Sequence, residues 1–168
     1  KILLFYYIIN MPKMVIVSGY FDPIHVGHLE LIKCASEHAT GSSEHATGSS
    51  EHATDGKVFV IINSDAQAKL KKNKAFMCDT HRKIICDALR LVDCTMISID
   101  EDRTVCATLK HIAEKYGRDF QLYFANGGDQ DNQSIPEIGV CKQHNIQLID
   151  GFGKKIESSS NLIKRSLL

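Results

Sequence analysis

A chain of 168 residues with 43% hydrophobic and 24% charged side chains can build one domain with a sizeable core. Its 20 lysines and arginines balance 20 aspartates and glutamates, so no global field draws it to nucleic acid or an anionic membrane. Any phosphate binding has to come from a local site. Six cysteines, Cys34, Cys78, Cys86, Cys94, Cys106 and Cys141, are scattered without a Cys-x-x-Cys pair. That pattern speaks for reduced thiols in a cytoplasmic protein, and against a disulfide framework or a zinc site.

The run Lys1–Ile9 is strongly apolar but only nine residues long, against the roughly 20 that a membrane-spanning helix needs. No small-residue cleavage site follows it, so it does not read as a secretion signal. Met11-Pro12-Lys13-Met14 reads as a translation start. Residues 1–13 are therefore set apart as an apolar extension from a domain over 14–168.

Met14-Val15-Ile16-Val17 has the apolar, β-branched character of a buried strand, and Leu29, Leu31 and Ile32 begin a helical pattern soon after. Between them lie Gly19, Pro23 and two histidines, His25 and His28, on either side of Gly27. This spacing puts both imidazoles at the mouth of a helix, where free N–H groups and the macrodipole attract anions. Gly27 carries no side chain where a phosphate would approach the backbone. The run predicts a triphosphate site built with imidazoles.

An internal repeat comes next. Ser36–Ser42 recurs as Ser43–Ser49, and in part as Ser50–Thr54. His38, His45 and His52 could form a metal or partner site. The alternative is a tandem duplication that lengthens a surface loop at about 36–56, and Gly-Ser in every period with no apolar heptad pair favours it. Removing fourteen residues leaves an ordinary helix–turn–strand connection, and a loop grown by that much costs only roughly 1 kcal/mol.

Further strands are expected at Val58–Ile62, Thr95–Ile99, Gln121–Ala125 and Ile146–Ile149, with helices at about 80–91, 103–116, 134–143 and 159–167. Such alternation predicts an α/β, Rossmann-like single domain: a five-stranded parallel sheet with helices on both faces. Ligands on such sheets bind beyond the carboxyl ends of the strands, where the two histidines fall.

The run Gly19-Tyr20-Phe21-Asp22-Pro23-Ile24-His25-Val26-Gly27-His28-Leu29 resembles the extended His-x-Gly-His signature of the nucleotidyltransferase superfamily. Three other segments match the cytidylyltransferase-like branch of the glycerol-3-phosphate cytidylyltransferase and heptose-phosphate adenylyltransferase type. The first is Lys69-Leu70-Lys71-Lys72-Asn73-Lys74 with the following His81-Arg82 helix up to Val92-Asp93. The second is Asn126-Gly127-Gly128-Asp129, and the third is Glu157-Ser158-Ser159-Ser160. Gln130 stands where relatives often carry arginine, and Glu157 where they carry an apolar residue.

The resemblance implies transfer of CMP or AMP from CTP or ATP to a phosphorylated small molecule, with release of pyrophosphate. It implies His25 and His28 as catalytic groups, joined by Lys71 or Lys72 from a lysine-rich loop. Gly19, Tyr20, Phe21, Asp22, Gly27, Asn126, Gly127, Gly128, Asp129, Ser158, Ser159 and Ser160 would bind the nucleotide, and Arg82 would face the substrate. It also implies Mg²⁺ as cofactor, no metal site made by the protein itself, a homodimer, and no nucleic-acid or membrane partner. A pantetheine-phosphate-like adenylyltransferase and a non-catalytic nucleotide-binding module are the alternatives. No Lys-Met-Ser-Lys-Ser motif and no Walker-type P-loop occurs in the chain.

Overall fold

A computed structural model describes residues 11–41, 55–127, 135–152 and 157–165. Five strands form one parallel sheet: β1 (Lys13–Gly19), β2 (Lys57–Ile62), β3 (Cys94–Ile97), β4 (Gln121–Gly127) and β5 (Gln147–Phe152). Their order is β3-β2-β1-β4-β5. The chain steps outward from β1 to β3, then returns to place β4 on the other side of β1. The switch in direction therefore falls between β1 and β4, where Ile16 pairs with Phe124 and Val17 with Ala125.

Unbroken apolar runs in β1 and β2 reflect burial on both faces, since a parallel sheet is covered twice. Val15, Val17, Val58, Val60 and Ile62 pack under α1 (Val26–Thr40), with Cys86 of α3 (Asp79–Asp87) beside them. The alternate residues Met14, Ile16, Phe59, Ile61 and Phe124 pack under Leu109 and Ile112 of α4 (Cys106–Tyr116) and Cys141 of α5 (Ile138–Gln143). The expected single α/β sheet with helices on both faces is what the chain forms. All six cysteines are free. No helix among the described residues is long and apolar enough to cross a membrane.

Three local departures from the expected elements have physical causes. The lysine-rich segment read as a loop is a helix, α2 (Asp65–Lys72). Ser64 and Gln67 close a reciprocal capping box at its start, and Asn73 ends it in the left-handed conformation with φ 66°. Lys69, Lys71 and Lys72 then occupy the last turn, where the helix dipole favours cations. The expected helix over 80–91 stops at Asp87. Beyond it Asp93 exchanges two hydrogen bonds with Val58, its N–H to the Val58 carbonyl and its carboxylate from the Val58 N–H, which turns the chain down into β3.

The third departure concerns the repeat. Its first copy, Ser36–Thr40, is the last part of α1 and not loop, with Ala39 fully buried and Gly41 ending the helix at φ 73°. His38 lies edge-on to Tyr123 at 5.0 Å and near Phe152 at 5.7 Å, inside the aromatic packing of α1 on the sheet. His45 and His52 lie outside the described residues, as do residues 1–10. The base of the inserted segment is tight: a Cβ on Gly56 would sit 2.2 Å from the Ala39 carbonyl oxygen. The chain leaves and re-enters the described part of the domain at adjacent points. Deleting residues 41–54 should preserve a single cooperative transition and raise Tm by about 2–4 °C, through the shorter loop. Calorimetry checks this. Loss of the transition would show that the repeat is structural.

Candidate active site

The site is built at the carboxyl end of β1. The Phe21 ring folds back over Gly19, within 3.1 Å of where a Cβ would stand, so any side chain there would crowd the ring. Phe21 takes φ 50°, unusual for a side chain of that size, and is buried with its ring 4.7 Å from that of His28. Asp22 is fully buried. Its two carboxylate oxygens accept from the N–H groups of Phe76 and Met77 at 2.9 and 2.8 Å. Phe21 and Asp22, expected to bind nucleotide, are thus interior groups: one backs His28 and the other anchors the segment after α2.

His25 and His28 cap α1 reciprocally. His25 is the N-cap, and its Nδ1 accepts from Gly27 N–H at 3.1 Å. Nδ1 of His28 accepts from His25 N–H at 3.3 Å. An accepting ring nitrogen carries no proton, so each neutral ring holds its proton on Nε2, the atom turned away from the backbone. The rings stack with centroids 3.8 Å apart. A Cβ on Gly27 would lie 3.1 Å from the His25 ring, so glycine there makes the close cap possible.

Burial lowers the pKa of His28 to about 3, and the charges His25 and Lys72 would carry push it the same way. His25 is lowered as well, by burial first and by Lys72, against an opposing pull from Glu157. The site thus offers two neutral Nε2–H donors.

Lys71 and Lys72 both reach this loop from the end of α2. Their ammonium groups lie 4.5 and 5.5 Å from the centre of the Tyr20 ring, and Lys72 Nζ donates to the Asp22 carbonyl at 3.2 Å. Lys71 as a whole is exposed, but loss of water around its ammonium, then Lys72 and Arg103, hold its pKa below the usual lysine range. Burial likewise pushes up the Tyr20 phenol, against Arg103 and Arg82.

Arg82, expected to face the substrate, lies in the interior. It is 1% exposed, and four of its N–H groups are taken by protein: Nε by the Met77 carbonyl, Nη1 by those of Tyr20 and Asn63, and Nη2 by Asp65 at 2.7 Å. The guanidinium fastens the histidine loop, the end of β2, the start of α2 and the segment before α3 to one another. Gln67, which sequence reasoning passed over, extends the fastening. Its side chain accepts from Asn63 and Ser64 and donates to the Asp102 and Thr104 carbonyls at 2.8 and 2.6 Å.

The serines come in from the other end of the chain. α6 (Ser159–Arg165) docks on the loop through Ser159, whose hydroxyl donates to the Pro23 carbonyl at 2.9 Å. Ser158 caps the helix by accepting from Asn161 N–H, and Ser160 is exposed beside Lys72, Lys74 and Lys164. Glu157 accepts from Ser158 N–H and pairs with Arg165 at 3.0 Å, and the first of these contacts chiefly holds its carboxylate below the usual range. On the sheet, Gly127 ends β4 against α1, since a Cβ there would lie 3.1 Å from Leu31. Gly128, Asp129 and the Asn126 side chain lie outside the described residues.

The expected Mg²⁺ finds no protein cage. Among the described residues no three His, Cys, Asp or Glu side chains group closely enough to hold a metal. The carboxylates beside the histidines, Asp22 and Glu157, are already committed.

Fold and loop together define a Rossmann-like α/β architecture, with paired imidazoles at the switch point of a parallel sheet. The chain belongs to the cytidylyltransferase-like family, whose model matches residues 16–164. A solved structure described as the lipopolysaccharide core biosynthesis protein from Thermoplasma volcanium GSS1 is similar to it, with TM-score 0.59 at 16% identity. That likeness covers 84% of this chain and 97% of the other, and at such identity it speaks for the fold. No curated protein matches. Family membership supports nucleotidyltransferase activity in general.

Two predictions follow from the geometry. Replacing Arg82 with Met removes the donor from the Tyr20, Asn63 and Met77 carbonyls and from Asp65, and should cost about 3–5 kcal/mol in urea unfolding. A loss under about 1 kcal/mol would mean that the guanidinium is not the fastening described. For the histidines, ¹⁵N spectra of the free protein should show His28 neutral with its proton on Nε2 from about pH 8 to pH 5. A midpoint near 6.5 for His28 would contradict the buried cap.

Proposed function

We propose that this protein transfers CMP or AMP from CTP or ATP to a phosphorylated small molecule of the sugar- or polyol-phosphate class, releasing pyrophosphate. The observation that carries the reading is the reciprocal imidazole cap, which leaves two Nε2–H donors on one side of a helix mouth. An oxygen of the acceptor phosphate attacks the α-phosphorus. The new P–O bond forms as the bond from the α-phosphorus to the bridging oxygen breaks, and that oxygen leaves with pyrophosphate. The attacking phosphate is already anionic, so the reaction needs no general base. The obstacle is charge, and positioned donors and cations lower it.

In this reading His25 and His28 donate to the α- and β-phosphate oxygens. An arriving polyanion favours the charged imidazole, so nucleotide binding raises both histidine pKa values from their low free-protein values. Lys71 and Lys72 neutralise charge from the side of α2. Ser158, Ser159 and Ser160 place the start of α6 at the far end of the triphosphate. Asn126, Gly127, Gly128 and Asp129 bind the nucleoside in this reading, as the resemblance implies. Mg²⁺ belongs to the proposal as a companion of the triphosphate and not as a resident of the protein. We extend the proposal to a homodimer working in the cytoplasm, as the resemblance implies and free cysteines suit.

His28→Ala is the direct test, with pyrophosphate release measured against CTP and ATP and a panel of phosphate esters. Turnover should fall by at least about 10²-fold while the KM for nucleotide changes far less, because the lost donor acts mainly in the transition state. Near-wild-type turnover in the variant overturns the assignment. A wild-type protein that binds nucleotide yet releases no pyrophosphate with any ester is a binding module instead.

A further inference from the structure

A cleft of about 250 Å³ opens beside the loop after β1, and its apolar wall, Val105 and Phe124, is the upper edge of the core under α4. Its polar lining is two-sided. Lys71 and Arg103 bring positive charge, and among the described residues neither has a carboxylate partner. Burial first, then Lys72, and last Arg103 disfavour the charge on Lys71, so an anion bound beside it would be stabilising. Two unpaired cations at the end of a cleft call for an anion. Glu137 lines the same cleft and is 8% exposed. Its Oε1 accepts from Val105 N–H at 3.1 Å, and its Oε2 has no partner among the described residues.

Facing the cleft without a protein partner among the described residues, Oε2 can take a donor from a ligand. A hydroxyl supplies one. A second negative charge would instead be pressed against Glu137. We propose that this cleft takes the acceptor, and that Glu137 selects a phosphate ester carrying hydroxyl groups and no second anionic group. The proposal rests on the transferase reading of the adjoining histidine loop. Phosphate goes to Lys71 and Arg103, and a hydroxyl donates to Glu137 Oε2. Sequence reasoning passed over Arg103 and Glu137, because both enter the site from loops whose path depends on tertiary packing.

The test compares matched esters by titration calorimetry and by pyrophosphate release: glycerol 3-phosphate with 3-phosphoglycerate, and glucose 1-phosphate with glucuronic acid 1-phosphate. The hydroxylated member of at least one pair should bind at least about tenfold more tightly than its carboxylated twin. Glu137→Gln keeps an oxygen for Val105 N–H but removes the charge, and should shrink the difference to about threefold or less without lowering Tm. Arg103→Met should weaken both members of the pair alike. Equal binding of the twins, an unchanged ratio in Glu137→Gln, or no binding of any of the four esters overturns the proposal. Selective binding without pyrophosphate release would sink the transferase reading and leave the subsite standing. Release without selectivity would do the reverse.

Discussion

Everything in this site depends on two imidazoles capping the same helix. Nδ1 of His25 receives Gly27 N–H, and Nδ1 of His28 receives His25 N–H. Hydroxyl and carboxylate caps are commoner at helix starts and would satisfy the same backbone donors. Neither carries a separate ring nitrogen whose proton the cap aims at the far side. An imidazole accepts with one nitrogen and donates with the other, so the cap that stabilises α1 also fixes the direction of two donors. Burial then keeps the rings neutral until an anion arrives. Local helix chemistry thereby sets the protonation state on which the proposed transfer relies.

A cap of this kind is useful only if the loop carrying it cannot drift. Three interior groups prevent that. Asp22 grips the backbone at Phe76 and Met77, Arg82 joins the carbonyls of Tyr20, Asn63 and Met77 to Asp65, and Ser159 ties α6 to Pro23. Each bond is short-range, but the partners lie between 5 and 136 residues apart in sequence. Charged groups such as Arg82 and Asp22 are tolerated in the interior because their polar atoms find partners. The site is therefore stiff on the side of the histidines, while Lys71, Ser160 and Arg103 stay exposed around it.

Much of this was legible in the sequence. The strand runs 14–17, 58–62 and 122–125 are apolar without alternation, the mark of a doubly covered parallel sheet. The spacing of His25, Gly27 and His28 after such a strand predicted two imidazoles at a helix mouth, and the rings stack there. The capping signature of α2, Ser64 followed by Gln67, was also present, but the lysine-rich run behind it drew attention as a loop. The roles of Arg82 and Asp22 were not legible. A signature residue that contacts a ligand and one that holds its neighbours look alike until burial is known. Arg103 and Glu137 left no local signal, since they meet only when the 98–105 and 135–137 segments fold over the end of β1.

The central claim is that the group moved is a nucleoside monophosphate. The most direct measurement follows CTP or ATP labelled separately at the α- and γ-phosphates, with sugar- and polyol-phosphate acceptors. The account predicts that α-label passes into a diphosphate-linked product that needs the acceptor, while γ-label leaves as pyrophosphate. Transfer of γ-label to the acceptor, or release of α-label as free monophosphate, would contradict it.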